Sequence, residues 1–266
     1  MAGILTIQIK SVLNDKCVNF RKVEHFIKRN SNPIDLVVLP ELFATNNCYE
    51  NWVQDENGGE VIQFASEVAK KFGVNVVAGS VVRKKAGKIY NSSFALNRQG
   101  DVVAIYDKIN LNNYFGNNEG ETFTKGGSIT VAEFDFARVG LALGFDIRFP
   151  SHFTSLIKEN VDIIVLPAAW YVPEEVYVDA NCLKVAQDMW QAICKTRAYD
   201  TGAYFVVANQ VKQAFDNLYG LGNSMIISPT AQILANAYDK EVGVYASVDV
   251  GLVKYLRQVF PINQLS

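Results

Sequence analysis

The chain has 266 residues, of which 49% are hydrophobic and 20% are charged, so it is long enough to bury a large core without disulfides or metals. Its formal net charge is -2 and its pI is near 5.8. No run of five or more like charges occurs. This balance provides no long-range attraction to nucleic acid or to an anionic membrane surface, and we expect neither as a partner.

The N-terminus and the cysteines indicate the cellular compartment in which the protein is expected. Residues 1–10 alternate like a strand and lack the basic start and long apolar stretch of a signal peptide. No apolar run reaches the roughly 18 residues needed to cross a bilayer. The cysteines Cys17, Cys48, Cys182 and Cys194 include no CxxC pair and do not resemble a disulfide framework. We therefore expect a protein of the reducing cytoplasm.

Apolar runs rich in β-branched residues, ended by polar residues, Pro or Gly, predict the strands. In chain order these runs are 5–9, 36–39, 74–78, 92–96, 102–106, 139–143, 163–166, 205–208, 224–227 and 246–248. Apolar residues that return every three or four positions predict helices between some of them. These helical stretches are 18–27, 61–72, 152–157 and 183–199.

The order of these elements predicts an α/β fold. One strand alternates with one helix in the first third of the chain and again from 145 to 210, whereas adjacent strands at 74–107 and 222–249 predict hairpins. Mixed sheets follow from that combination. Because no linker, break in composition or internal repeat divides the chain, we expect one domain over 1–266. Residues 107–128, rich in Asn and Gly, form a long irregular segment of the kind that often carries binding residues.

Three ionisable residues stand where a sheet delivers side chains to one edge. Glu41 follows an apolar strand and a proline, Lys108 ends another strand, and Glu119 lies in the long loop. Each also has an ordinary structural interpretation. Glu41 fits a turn cap, Lys108 fits a lysine whose stem covers apolar surface, and Glu119 fits a solvated loop acid. Taken singly, none of the three specifies a function.

The segment Val-Gly-Leu-Ala-Leu-Gly-Phe-Asp-Ile-Arg-Phe-Pro at 139–150 makes the set specific. It resembles the nucleophile elbow of the nitrilase superfamily, the carbon–nitrogen hydrolases related to omega-amidases, in which a strand is followed by Cys, an aromatic residue, Asp and Arg-Phe-Pro. Further matches in the same order extend the resemblance over nearly the whole chain. They are Leu-Pro-Glu-Leu-Phe at 39–43, Tyr-Asp-Lys-Ile-Asn-Leu at 106–111, Glu119 upstream of Gly126, Pro-Ala-Ala-Trp at 167–170, Trp190 followed by Arg197 and Ala198, Ala208-Asn209, Gly222-Asn223-Ser224 and Ser228-Pro229.

The resemblance implies a four-layer α-β-β-α sandwich that cleaves non-peptide C–N bonds in small amides, carbamoyl compounds or nitriles. It implies no cofactor and no metal, and it suggests a homodimer. In the family mechanism a glutamate takes the proton of a thiol, the thiolate attacks the carbon, and a lysine stabilises the oxyanion. Glu41 would be that base, Lys108 the oxyanion donor, and Glu119 the acid that orients the substrate and Lys108.

The chain departs from the family at the nucleophile itself. Gly144 stands where the family has Cys, and a residue without a side chain forms no thioester. Cys48, seven residues after Glu41, is a poor substitute because reactivity needs a placed base and an electropositive setting. Asn110 and Asn223 stand where His is common, which marks an outlying member and weakens any assignment of substrate.

Three functions stay open on these residues. The first is an amidase-type hydrolase of a small C–N compound, disabled or impaired at Gly144 or derived from a parent with Cys there. The second is a pseudoenzyme that binds a small amide, carbamoyl compound or carboxylate as a regulatory or structural subunit. In the third, Glu41 and Lys108 activate water or abstract a proton without a covalent step. The sequence does not decide whether Gly144 is native or engineered.

Other residues predict structure and not chemistry. Only two histidines occur, and without an HExxH pattern a metal site is not expected. Trp170 and Trp190 are predicted to be core or pocket wall, and Phe149 is predicted to be core. Asp146 and Arg148 are predicted to form a partly buried ion pair beside the elbow.

Overall fold

The computed structural model describes residues 1–46, 53–114, 118–215 and 217–264. The strands, numbered in chain order, are β1 (Ala2–Gln8), β2 (Leu36–Val38), β3 (Asn75–Lys85), β4 (Lys88–Leu96), β5 (Val102–Asp107), β6 (Thr130–Glu133), β7 (Arg138–Leu141), β8 (Ile163–Pro167), β9 (Tyr171–Pro173), β10 (Tyr204–Ala208), β11 (Val211–Phe215), β12 (Leu218–Leu221), β13 (Met225–Ile227), β14 (Ile233–Asn236) and β15 (Val242–Val248). The α-helices are α1 (Lys16–Arg29), α2 (Gly59–Phe72), α3 (Glu119–Thr122), α4 (Pro150–Lys158), α5 (Glu174–Val178), α6 (Ala180–Thr201) and α7 (Val250–Val259). Two 3₁₀ turns lie at Gly144–Arg148 and Ile262–Gln264.

Two six-stranded mixed sheets form the centre of the fold. The first sheet has the order β15-β1-β2-β3-β4-β5, and the second has the order β14-β13-β10-β8-β7-β6. Within the first sheet β1, β2 and β3 are parallel, and within the second β7, β8 and β10 are parallel. The outer strands of both sheets join them antiparallel. A smaller sheet, β11-β12-β9, lies beside them.

Alternation along the strands creates three apolar interfaces between four layers, because successive side chains point to opposite faces of a sheet. Ile4 and Val165 belong to the core between the two sheets. Leu5 belongs to the core that packs the first sheet against α1 and α2. Ile164 and Leu166 belong to the core that packs the second sheet against α4 and α6. The layers are therefore helix, sheet, sheet and helix.

The longest helix is α6, and local signals begin and end it. At its start the side chain of Asp179 accepts hydrogen bonds from the backbone N–H groups of Asn181 and Cys182, both at 2.9 Å. At its end Gly202 adopts a left-handed φ of 61°, which terminates the helix. Between these ends Trp190, one of the residues predicted to be core, is buried in the outer core of the second sheet.

The α/β class, the mixed sheets and the four layers are confirmed. All ten predicted strands and four predicted helices are present, with ends that differ by a few residues. The sequence prediction missed several short or half-exposed elements. These are β6, β9, β11, β12, β14, α5 and α7, together with α3 inside the predicted long loop. The prediction that Phe149 is core is wrong, since its side chain is 36% exposed where the 3₁₀ turn meets α4.

The topology brings separate chain segments to one end of the sandwich. In a parallel sheet the carboxyl ends of the strands meet at the same edge. Glu41 follows β2 of the first sheet, whereas Gly144 and Ala169 follow β7 and β8 of the second. Lys108 directly follows β5. No helix in the described part of the chain combines the length and the apolar character that a membrane span requires.

The central core supports a prediction on stability. Ile4 is fully buried between the sheets, so Ile4→Ala should lower the free energy of unfolding by about 2–5 kcal/mol through lost burial and a residual cavity. Val103→Ala is the control, because Val103 is 40% exposed on β5 and should change stability by less than about 0.5 kcal/mol. Urea denaturation measures both variants. Equal losses for the two would contradict the assignment of the core.

Candidate active site

Lys108 lies between two carboxylates at the carboxyl end of the strands. Its Nζ atom is 2.9 Å from Oε1 of Glu41 and 2.9 Å from Oε1 of Glu119. All three residues are buried, with exposures of 2%, 4% and 5% for Lys108, Glu41 and Glu119. Charges removed from water to this extent are stabilised only by close partners. The three residues predicted from the sequence therefore form one buried ion triad.

Glu41 is held at both carboxylate oxygens. Asn91 on β4 donates from Nδ2 to Oε1 at 2.9 Å, and the backbone N–H of Ala169 donates to Oε2 at 3.1 Å. The side chain of Gln210 donates to the backbone carbonyl of Glu41 at 3.0 Å. Because Ala169 and Gln210 follow strands of the second sheet, these bonds connect Glu41 to both halves of the sandwich.

Glu119 is the first residue of the short helix α3. Its Oε2 atom accepts the backbone N–H of Asn112 at 2.6 Å, and its own backbone N–H donates to the carbonyl of Asn112 at 3.1 Å. The long loop thus folds back on itself and holds the Glu119 carboxylate toward Lys108. The interpretation of Glu119 as a solvated loop acid is wrong, because the loop has local structure that buries it.

Burial and charge act in opposite directions on the triad. Burial raises the pKa of the Glu41 carboxyl, as does the negative charge of Glu119, whereas Lys108 acts to lower it. For Lys108, burial alone would lower the pKa, but the carboxylates of Glu119 and Glu41 outweigh burial and raise it. Lys108 is accordingly a protonated cation, and the pKa of Glu41 lies above its ordinary value.

Gly144 begins the 3₁₀ turn after β7 and faces the carboxylate of Glu41. Its φ of 42° lies in the left-handed region that favours glycine. A Cβ atom placed on this backbone would overlap Oε2 of Glu41 and lie 3.1 Å from its Cδ. The Glu41 carboxylate therefore stands where a side chain at position 144 would project, and any such side chain requires Glu41 to move.

Asp146 ties this turn to the loop that carries Lys108. Its Oδ2 accepts the hydroxyl of Tyr106 at 2.6 Å and the backbone N–H of Leu143 at 2.8 Å. Its Oδ1 accepts the backbone N–H and the Nδ2 of Asn110, at 3.0 and 2.9 Å. The predicted ion pair with Arg148 is wrong, because Asp146 is fully buried with these partners while Arg148 is exposed.

Aromatic rings surround the turn. Phe145 packs against Trp170, Tyr114 and Phe149 with ring centroids 6.4, 5.9 and 5.7 Å apart. Trp170 in turn packs on Trp190 at 4.9 Å. Since Trp170 is half-buried and directly follows Ala169, it forms a wall beside the triad. The prediction that Trp170 and Trp190 are core or pocket wall agrees with the full burial of Trp190 and the partial burial of Trp170.

Several residues that hold the triad have no sequence signal of their own. Asn91 lies in the middle of a strand, the donor of Ala169 is a backbone N–H, and Gln210 follows a strand that carries no charge. Tyr106 is recognisable only as part of the lysine motif. Cys48 and its neighbouring Asn47 lie outside the described residues, as does Asn117. Among the residues that the structure does describe, no group of three or more His, Cys, Asp or Glu side chains is arranged to hold a metal ion.

The two-sheet sandwich and the buried glutamate–lysine–glutamate set at its strand ends define a class of protein. Residues 4–258 match the family model for carbon-nitrogen hydrolases, and the chain belongs to that family, within the nitrilase superfamily.

The individual relatives are only distantly similar in sequence. The chain is 27% identical over 246 residues to 2-oxoglutaramate amidase of Bacillus subtilis, which covers 92% of this chain and 89% of that protein. It is 26% identical over 268 residues to omega-amidase NIT2 of Homo sapiens, which covers 98% and 92%. The crystal structure of Nit3 of Saccharomyces cerevisiae superimposes with a TM-score of 0.83 at 24% identity, covering 98% of this chain and 94% of that one. That structural similarity bears on the fold alone.

The triad supports a prediction on stability. Lys108→Met leaves two buried carboxylates without a cation and should lower the free energy of unfolding by about 3–5 kcal/mol at pH 7.5. Removal of Lys108 raises the folded-state pKa of Glu41 further above its unfolded value. The loss of unfolding free energy caused by Lys108→Met should therefore become smaller as the pH falls toward 5 and the carboxyls take up protons. Denaturant titrations at both pH values measure the effect.

Lys184→Met is the matched control for this experiment. Lys184 pairs with Asp188 on the surface of α6, where both side chains are mostly exposed, so its loss should change stability by less than about 0.5 kcal/mol at either pH. A Lys108→Met variant that matches this control at pH 7.5 would show that the triad is not a buried ion network.

Proposed function

We propose that this chain is an amidase-type carbon–nitrogen hydrolase homologue that binds a small amide-like compound but does not carry out covalent hydrolysis. One domain over 1–266 performs this role, with Glu41, Lys108 and Glu119 forming the polar end of the site. The observation that carries the proposal is the intact buried triad beside a glycine. Every charged group of the family mechanism has its place, and the attacking atom is missing.

The retained charges support a working ligand site. Two glutamates and a lysine that are almost completely removed from water are costly to keep in a protein that needs only a stable core. Replacement by apolar residues of similar size is often neutral or stabilising in such positions. Selection for a bound polar ligand accounts for their retention.

The names of the relatives suggest a ligand. One is a 2-oxoglutaramate amidase and another is an omega-amidase, so short acids that end in a primary amide are the first compounds to test. Asn110 and Asn223, where the family commonly has His, keep polar contacts. Asn110 binds Asp146, and the Oδ1 of Asn223 accepts from Gln191 at 3.0 Å and from Asn236 at 3.2 Å.

A second candidate is non-covalent catalysis by Glu41. Its carboxylate occupies the place of a side chain at 144, and burial raises its pKa toward the range of an effective general base. In this alternative Glu41 removes a proton from water or from the ligand while Lys108 stabilises the developing negative charge.

Ammonia release from 2-oxoglutaramate tests both candidates. The wild-type chain should release none above background, yet 2-oxoglutaramate should raise its melting temperature. Gly144→Cys should gain ammonia release, because the side chain of Glu41 can swing aside and then serve as the base for the new thiol. A gain that requires covalent chemistry must disappear when Glu41→Gln is added to Gly144→Cys.

Gly144→Ala is the control, since it introduces the same Cβ and the same backbone strain without a nucleophile. It should release no ammonia. Turnover by the wild-type chain that Glu41→Gln abolishes would favour the non-covalent candidate. If no variant turns over and 2-oxoglutaramate leaves the melting temperature unchanged, the proposal of an amide-binding site is wrong.

We also propose a cytoplasmic homodimer. The described thiols of Cys17, Cys182 and Cys194 are free, as a reducing compartment requires. Large apolar side chains are exposed on α6 and α7, an arrangement typical of association surfaces. They are Val185, Met189 and Tyr199 on α6, and Tyr255 and Val259 on α7.

Light scattering after size-exclusion chromatography tests the dimer. The wild-type chain, of 29.5 kDa, should elute with the mass of two copies. Met189→Glu combined with Val259→Glu places two buried charges in the proposed interface and should shift the population to monomer, with unchanged secondary structure by circular dichroism. Val103→Glu, an equally polar change at an exposed position on β5, should leave the mass unaltered.

A further inference from the structure

The buried triad carries more negative than positive charge. Ionised Glu41 and Glu119 face one ammonium group, that of Lys108. Within the described residues, no other charged side chain hydrogen-bonds to either carboxylate. The remaining donors to the two carboxylates are neutral: Asn91 and the backbone N–H groups of Ala169 and Asn112. When both carboxyls are ionised, one negative charge is thus left without a cationic partner among these nearly fully buried groups.

The residue at position 144 determines which carboxylate oxygen of Glu41 can accept a further hydrogen bond. A thiol there would share a proton with Glu41, but Gly144 offers none. Oε1 of Glu41 accepts from both Asn91 and Lys108, whereas among the described residues Oε2 accepts one hydrogen bond, from the N–H of Ala169 at 3.1 Å. A carboxylate oxygen accepts two hydrogen bonds in favourable geometry. Oε2, the oxygen that a Cβ on Gly144 would overlap, therefore has acceptor capacity left.

We propose that the site beside Gly144 also binds a protonated primary amine, carried by or accompanying the amide-like ligand, at Oε2 of Glu41, and that it disfavours a carboxylate at this one position. An alkylammonium group supplies both the missing positive charge and an N–H donor for the free acceptor position. A carboxylate in the same place adds a third negative charge within a few ångströms of two others, which is strongly unfavourable at low dielectric. The rings of Phe145 and Trp170, stacked with centroids 6.4 Å apart, offer an apolar surface for a short uncharged body.

The site's own titration agrees with this ligand class. Without a ligand, burial raises the pKa of Glu41, since protonation of this carboxyl removes the excess charge. A bound ammonium group favours the ionised carboxylate instead. Ammonium binding therefore strengthens as the pH rises through the pKa of Glu41 and weakens as the pH falls through it. Burial is the main cause of the raised pKa of Glu41, and the charged groups that face Glu41 in the described ranges act in opposite directions on it: Lys108 lowers the pKa and Glu119 raises it.

The inference rests on the proposed function, because it assumes that small molecules reach the side chains beside Gly144. Isothermal titration calorimetry of the full chain with propylammonium, propionamide and propionate, three compounds of nearly equal size, tests it. At pH 7.5 and matched ionic strength, propylammonium should bind at least about tenfold more tightly than propionate. Its affinity should fall as the pH is lowered, whereas that of the uncharged propionamide should change little.

Glu119→Gln provides the matched variant, because it removes one negative charge and leaves Glu41 in place. Propylammonium affinity should fall by about tenfold and propionate affinity should rise. Asp188→Asn removes the same charge on the exposed face of α6 and should alter neither affinity. The pH dependence in the wild-type chain gives an independent answer if Glu119→Gln does not fold.

The outcomes separate this inference from the function on which it rests. Binding of propionamide without binding of propylammonium, or propionate binding at least as tight as propylammonium, overturns the charge-based inference and leaves an amide-binding site standing. Failure of all three compounds to bind the folded wild-type chain overturns the proposed function together with the inference. Propylammonium binding that does not depend on pH also contradicts the role given to Glu41.

Discussion

The ammonium group of Lys108, buried between Glu41 and Glu119, is the constraint on which the rest of the site depends. A lysine at 2% exposure must keep two anionic partners, and each glutamate in turn needs further hydrogen-bond donors. Those donors come from Asn91, from the backbone of Ala169 and from the loop at Asn112. The charge network therefore draws together both sheets and the long loop that precedes β6.

Beside this network, Gly144 changes the chemistry without changing the scaffold. The turn keeps its left-handed backbone and its place after β7, and the Glu41 carboxylate lies where a side chain would stand. Buried ions that serve no function reduce stability relative to well-packed apolar residues. Here Glu41, Lys108 and Glu119 remain, and we propose that their unbalanced negative charge makes the site prefer a cationic group.

A second network, made of hydrogen bonds, connects the parts of the site that come from the two sheets. Asp146, on the turn of the second sheet, binds Tyr106 and Asn110, which flank Lys108 on the first. Asn110 reaches the same carboxylate oxygen with its side chain and its backbone N–H, so the departure from the common His still provides a donor. These hydrogen bonds therefore hold Lys108 and Gly144 in position relative to each other.

The sequence by itself determined the long strands and helices and the identity of the chemical groups, while its resemblance to the nitrilase superfamily implied the four layers. Strand and helix periodicity are local properties, so the ten long apolar runs and four amphipathic stretches were predictable, as were Glu41, Lys108, Glu119 and the glycine at 144. Short strands such as β9 and β14, and the exposed Phe149, depend on neighbours far along the chain and were missed or misplaced.

Only the tertiary structure decided which atoms meet. The pairing of Asp146 with Asn110 instead of Arg148, the backbone donor of Ala169 and the amide of Asn91 all join segments separated by tens of residues. Hydrogen-bond partners depend on distance and direction in space, and these follow from how two sheets pack, which no local pattern of residues records.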